Sequence, residues 1–200
     1  MLEGLYLTII MGRGEPVALG FRARSGWAAM VVVSAAAVVE RRHVNLAGSG
    51  PPHTVQPYHA ARRLGLPDAE KAIERAASRA RKLAAEAIRE VLATHAVVAC
   101  GVGHDPNQRR PPLAKILTSH PLLHTAEGLL FRTAVADAAA ECGLTVVVVP
   151  ERDLSAEPAI ERPPGAPWRQ DEKLATAVAL IALAQTKNGP GHIRPGPSIV

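Results

Sequence analysis

The sequence predicts an α/β protein, a three-layer mixed sheet with elements in the order β-β-β-α-β-α-β-α. Three observations carry this. Runs 17–22 and 27–33 are rich in β-formers, flank the turn-prone Ala23-Arg24-Ser25-Gly26 and lead through a second turn into run 37–46. Two short apolar runs, HAVVAC at 95–100 and LTVVVV at 144–149, have the length and branching of buried parallel strands. Helical apolar spacing occupies the stretches before, between and after them. A meander followed by strand–helix alternation gives a sheet with helices on its faces.

The elements follow in order. Residues 37–46, AVVERRHVNL, are polar at the centre, which suits an outer strand with one wet face. Residues 47–65 are rich in glycine and proline and read as a loop. Pro67 is suited to a helical first turn, and Asp68 and Glu70 favour the positive helix start. From there to about 92, Ile73, Ala77, Ala80, Ala84, Ile88 and Val91 form one face. Arg75, Arg79, Lys82, Glu86 and Arg89 form the other, as in an amphipathic helix lying on a sheet.

Residues 101–112 read as a loop with a basic tip at Arg109-Arg110, and 113–118 as a short helix. A longer helix is expected over 126–141, with Thr125 as its N-cap and Gly143 as its stop. A proline-rich loop at 151–167 leads to a final helix that Asp171 caps or opens and that ends near 185. Leu174, Val178, Ile181 and Leu183 turn inward there. Residues 1–16 read as an N-terminal extension, with Met11 a natural start, 17–186 as one α/β domain, and 187–200 as a disordered tail.

Composition sets the outer limits. Hydrophobic residues make up 48% and charged residues 20%, as in globular proteins. Aromatics are only 3%, so valine, alanine and leucine must fill the core. The net charge of +5 and pI near 9.7 admit either a polyanionic partner or a scattered arginine surface. Cys100 and Cys142 have no CxxC or zinc-finger spacing, and free thiols suit a cytoplasmic protein. No apolar run approaches the roughly 20 residues that span a bilayer. The opening MLEGLYLTII lacks the basic region and cleavage site of a signal peptide.

The element order, with the hairpin LGFRARSGWAAMVV at 19–32, resembles the ribonuclease H-like superfamily, which includes Holliday-junction resolvases and retroviral-type integrases. The resemblance spans about residues 17–186. It implies acids holding two metal ions, which neutralise charge on the attacking and leaving oxygens of a phosphoryl displacement. One such acid belongs within the first strand, where this chain has Phe21 or Arg22. A second follows the fourth strand, where Cys100-Gly101 comes first and Asp105 is the nearest acid. A third lies on the last helix, where Asp171 or Glu172 matches. The cation at 22 argues against standard two-metal cleavage.

The polar residues themselves fall where strands hand over to helices, and open α/β sheets take ligands at that end. His124 and Glu127 stand an i, i+3 step apart. With His120 they would align three metal-capable groups on one helix, but Pro121 disfavours helical geometry at His120. Helix capping by Thr125 and Glu127 is the plainer reading, and no metal ligand set is assigned. His59 can move protons near neutral pH and Tyr58 can donate or stack; both also suit a packed loop. His104-Asp105 reads as a turn or an oriented imidazole. Arg132 offers an anion contact or a pair with Glu127. Arg152 lies in the charged triplet 151–153 after the strongest strand. Trp168 pins the loop beside Asp171 or lines a site. Arg22 and Arg24 clamp an anion or pair with Glu151, Asp153 or Asp171.

No Walker loop, dinucleotide fingerprint, GxSxG or HExxH is present, so no reaction or cofactor is fixed. Three functions stay open. The first is a divergent ribonuclease H-like domain binding nucleic acid or another polyanion without standard two-metal cleavage. The second is a small-molecule hydrolase or anion-binding enzyme using His59, His124, Glu127, Asp171 and the arginines. The third is a non-catalytic assembly subunit forming a homo-oligomer through its helices.

Overall fold

The computed structural model describes residues 14–50, 52–161, 163–165 and 168–187. Most of the expected N-terminal extension and nearly all of the expected tail lie outside the described residues. Strand β1 is Val17–Arg24, β2 is Trp27–Val33 and β3 is Val38–Asn45. A 3-10 turn at Pro52–Val55 precedes a short helix α1, Pro57–Ala61, and a long helix α2, Leu66–Thr94. Strand β4 is Val97–Gly103, α3 is Leu113–Thr118 and α4 is His120–Glu141. Strand β5 is Thr145–Val149; a 3-10 turn at Glu151–Asp153 and helix α5, Gln170–Lys187, follow.

The sheet runs β3-β2-β1-β4-β5. Strands β1, β2 and β3 form the expected antiparallel meander, and β4 and β5 continue it in parallel with β1. A two-residue turn, Ser25-Gly26, links β1 to β2, with Gly26 at a φ of +82° that favours glycine. Central β1 is buried on both faces. Leu19, Phe21 and Ala23 join the core shared with α2 and α4, whereas Ala18 joins the core under α5. Alternation therefore sends Arg22, in step with Ala18 and Gly20, to the α5 face.

The first core is filled mainly by small aliphatic side chains, as the scarcity of aromatics requires. Ala80, Ala84 and Ala85 of α2 and Ala134, Ala138 and Ala139 of α4 are buried between the helices. Phe21, Ile88 and Phe131 supply larger surfaces there, and each such burial stabilises by roughly 1.5–3 kcal/mol. On the other face α5 presses on bare backbone. A Cβ at Gly20 would lie 1.9 Å from the Ala175 carbonyl oxygen, and one at Gly101 would lie 2.3 Å from that of Val178. The two glycines are register partners, so they form one groove across β1 and β4. This close approach fixes the start of α5, and with it Asp171, over the end of β1.

Four expectations are corrected. Strand β5 lies at the sheet edge, so the run 144–149 is not a buried strand: only Leu144 and Val147 are buried in it. The stretch 47–65 is not all loop, because Pro57 starts a helical turn that carries Tyr58 and His59. Strand β4 runs to Gly103, so Cys100-Gly101 lies inside the strand rather than at its end. Helix α4 starts at His120, with Ser119 as its N-cap position. Pro121 occupies the first turn, where its missing N–H costs nothing. Thr125 is therefore no cap; its hydroxyl donates to the Pro121 carbonyl at 3.0 Å.

Candidate functional site

The sequence-expected polar residues divide into two groups. The first surrounds Arg22 at the carboxyl end of β1. Its guanidinium lies 2.6 Å from Glu151 Oε1, just past β5, and its Nε is 3.8 Å from Asp171 Oδ1 on α5. Arg24, one β repeat further along the strand, donates Nε to the same Asp171 oxygen at 3.0 Å. Arg132 of α4 donates to Glu151 Oε1 at 3.0 Å. Arg132 thus pairs with Glu151, not with Glu127. Three arginines and two carboxylates form one connected network, with Arg22 only 7% exposed at its centre.

Burial draws the Arg22 guanidinium below its ordinary value. Glu151 and Asp171 pull it back up, while Arg24 and Arg132 push it down. An arginine stays charged under such pressure. The network leaves gaps: Nε of Arg22 and Nε of Arg132 are buried without a hydrogen-bond acceptor. Beside them lies a cavity of about 230 Å³ lined by Asp105, Gln108, Arg132, Pro150, Glu151 and Arg152.

His104 and Asp105 close the rim of this group. The His104 N–H donates to Val149 O at 2.9 Å, and Asp105 Oδ1 accepts from Asn107 N–H at 2.9 Å, so the segment is a turn. Burial, then Arg132, lowers the His104 pKa, and its Nδ1 is buried without a partner. Arg152, 71% exposed, reaches Asp105 at 3.4 Å. Trp168 is half-buried ahead of α5. The helix start is fixed by Glu172, which accepts from Arg169 N–H at 2.8 Å, leaving Asp171 to the arginines.

The second group surrounds Glu127, on α4 and 1% exposed. Its Oε1 accepts from the backbone N–H groups of Tyr58 at 2.9 Å and His59 at 3.1 Å, and lies 3.1 Å from His59 Nδ1. Its Oε2 is buried without a partner. Burial raises the carboxyl pKa to about 7, against the lowering effect of the His59 and Tyr58 amides and of His124. Tyr58 is itself buried, and its hydroxyl accepts from Arg110 at 3.3 Å. His124 completes the group beside His59, with ring centroids 4.8 Å apart. Glu127 is thus a buried anchor for α1 and does not serve the helix start.

The pair of metal ions implied by the resemblance does not fit the first group. The first-strand position carries the Arg22 cation. Asp105 and Asp171 are held by Arg152 and by Arg24 with Arg22. The charge that metal ions would supply to carboxylates here is supplied by guanidinium groups. Sequence reasoning anticipated that Arg22 could pair with Glu151 or Asp171. It placed the triplet 151–153 after the strongest strand among the candidates, but gave the site role there to Arg152 rather than to Glu151.

No protein-family model matches the chain, and no curated protein matches it. Among solved structures it is similar to T. thermophilus RuvC in complex with a Holliday junction substrate, with a TM-score of 0.51 and 14% identity. The likeness covers 88% of this chain and 97% of that one. The fold is ribonuclease H-like, with the sheet order and helical layers described above.

Proposed function

We infer that this chain is a ribonuclease H-like domain that binds nucleic acid or another polyanion at the arginine-rich end of its sheet, without two-metal cleavage. The observation that carries this reading is the buried Arg22 standing where a metal-binding acid would be needed, in a network whose rim presents the guanidinium groups of Arg24 and Arg152 to solvent. Phosphate oxygens suit such donors, and arginine forks bind them in pairs. Exposed Arg24 and Arg152 border the same region, and the net charge of +5 favours an anionic partner. The likeness to a junction-bound protein agrees with a nucleic-acid ligand. The free thiols Cys100 and Cys142 suit the reducing cytoplasm.

The test is a salt-titrated binding assay with short single- and double-stranded DNA and RNA and a four-way junction, with Mg²⁺ or Mn²⁺ present and cleavage followed on gels. Binding that weakens steeply with salt, with substrates intact, is the expected result. Metal-dependent cleavage, or no binding to any of these polymers, would overturn the reading.

A second reading, a small-molecule hydrolase or anion-binding enzyme, is favoured by the contact between His59 and Glu127 beside His124. A histidine and a carboxylate in hydrogen-bond contact form an acid–base pair. Loss of a bound ligand or of turnover in folded Glu127→Gln and His124→Ala would support it; unchanged behaviour in both would reject it.

A further inference from the structure

Three histidines from two helices converge on one point of the surface. His59 stands on α1, and His120 and His124 on the first turns of α4; one ring nitrogen of each lies within 4.8 Å of the others. The spacing of four residues on α4 puts two imidazoles on one face. Their Nε2 atoms are 3.3 Å apart. A tetrahedral zinc with Zn–N bonds of about 2.0–2.1 Å holds its ligand nitrogens roughly 3.3–3.4 Å apart. Two bare nitrogen lone pairs at that distance repel, so the arrangement calls for a proton or a cation between them.

The third histidine is supported from behind. His59 Nδ1 lies 3.1 Å from Glu127 Oε1, which two backbone N–H groups hold in place. With its proton on Nδ1, His59 leaves the Nε2 lone pair for a metal. A carboxylate behind a histidine in this way fixes the tautomer and orientation of a ligand ring. Glu127 is buried, and its second oxygen lacks a partner. His120 and His124 are exposed, so an ion has a path in from solvent.

We propose that His59, His120 and His124 bind one divalent transition metal of the zinc class, with solvent as the fourth ligand and Glu127 positioning His59. Imidazole donors select zinc, cobalt, nickel or copper ions over magnesium and calcium. The site uses no residue of the arginine network and stands independently of polyanion binding.

The full chain, stripped by a chelator, is titrated with Co²⁺ and then Zn²⁺, and the visible absorption of tetrahedral Co²⁺ is recorded. One equivalent of Co²⁺ is expected to give the band and Zn²⁺ to displace it. His120→Ala and His124→Ala, each at an exposed position and checked for fold by circular dichroism, are expected to abolish the band. His95→Ala, a control beyond the end of α2, is expected to keep it. Glu127→Gln is expected to weaken Zn²⁺ binding by about 10–100-fold. Absence of a stoichiometric band, or a band that survives in both His120→Ala and His124→Ala, would overturn the site. Wild-type affinity in Glu127→Gln would overturn the positioning role.

Discussion

Arg22 and Glu151 meet at 2.6 Å, joining the end of the first strand to the turn after the last. Cutting this contact at Arg22 leaves Glu151 and Asp171 half-buried with less compensation. The Arg22→Met variant is expected to lose about 2–3 kcal/mol, below the full value for a wholly buried pair because both carboxylates keep some solvent. Urea denaturation measures this. Stability within 0.5 kcal/mol of the wild type, an order-of-magnitude threshold for surface changes, would show that the network is not structural.

Gly20 and Gly101 admit no side chain under α5. Either Gly20→Ala or Gly101→Ala is expected to cost about 3 kcal/mol by forcing the helix off the sheet. Gly65→Ala, where the added methyl meets open space, is expected to change stability by about 0.5 kcal/mol or less. Thermal denaturation of the three variants checks the contrast.

Arg152 is largely exposed and makes ion pairs only at its rim. Arg152→Ala is expected to leave stability nearly unchanged and to weaken DNA or RNA binding. It should also reduce the slope of log affinity against log salt by about 1. An unchanged slope would move the polyanion contact away from this end of the sheet.

His104 gives a pH dependence whose sign is fixed. Burial and Arg132 hold its folded pKa below the ordinary 6.5, with Asp105 and Glu151 opposing. Between the two values the unfolded chain binds more protons, so stability rises with pH. His104 therefore costs stability as pH falls through about 6.5 towards the folded value. Urea midpoints at pH 7.5 and 5.5 are expected to differ less in His104→Gln than in the wild type. Equal differences would show that His104 does not titrate in this way.

The two thiols should react unequally. Cys100 is fully buried, and burial pushes its pKa far above the ordinary thiol range. Cys142 is half-buried, with burial raising its pKa and Arg89 opposing. Iodoacetamide at pH 8 followed by peptide mapping is expected to label Cys142 slowly, and Cys100 only in denaturant. Rapid native labelling of Cys100 would contradict the packing of β4.

The sheet and most of the helices were legible because periodicity is local. Residues 144–149 read as a strand, although β5 proves to be an edge strand in which only Leu144 and Val147 of the run are buried, and Ile73, Ala80, Ala84, Ile88 and Val91 mark the inward face of α2. Short α1 escaped because five residues carry no periodicity. The start of α4 was misplaced because Pro121 reads equally as a stop or as a first-turn residue. The groups around Arg22 and Glu127 were legible only as candidates. Their contacts join residues 147 apart for Arg24 and Asp171, and 68 apart for His59 and Glu127, and no local rule supplies such pairings.

The bare glycine groove under α5 also bears on biogenesis. Helix α5 is the last described element to leave the ribosome, and until it arrives Ala18, Val31 and Ala99 face water. The emerging chain can close the α2 and α4 side first, while the opposite side of the sheet stays open and available to chaperones or to other unfinished chains. Translation through residue 187 then brings in both the cover and Asp171, so sealing of that face and completion of the arginine network coincide.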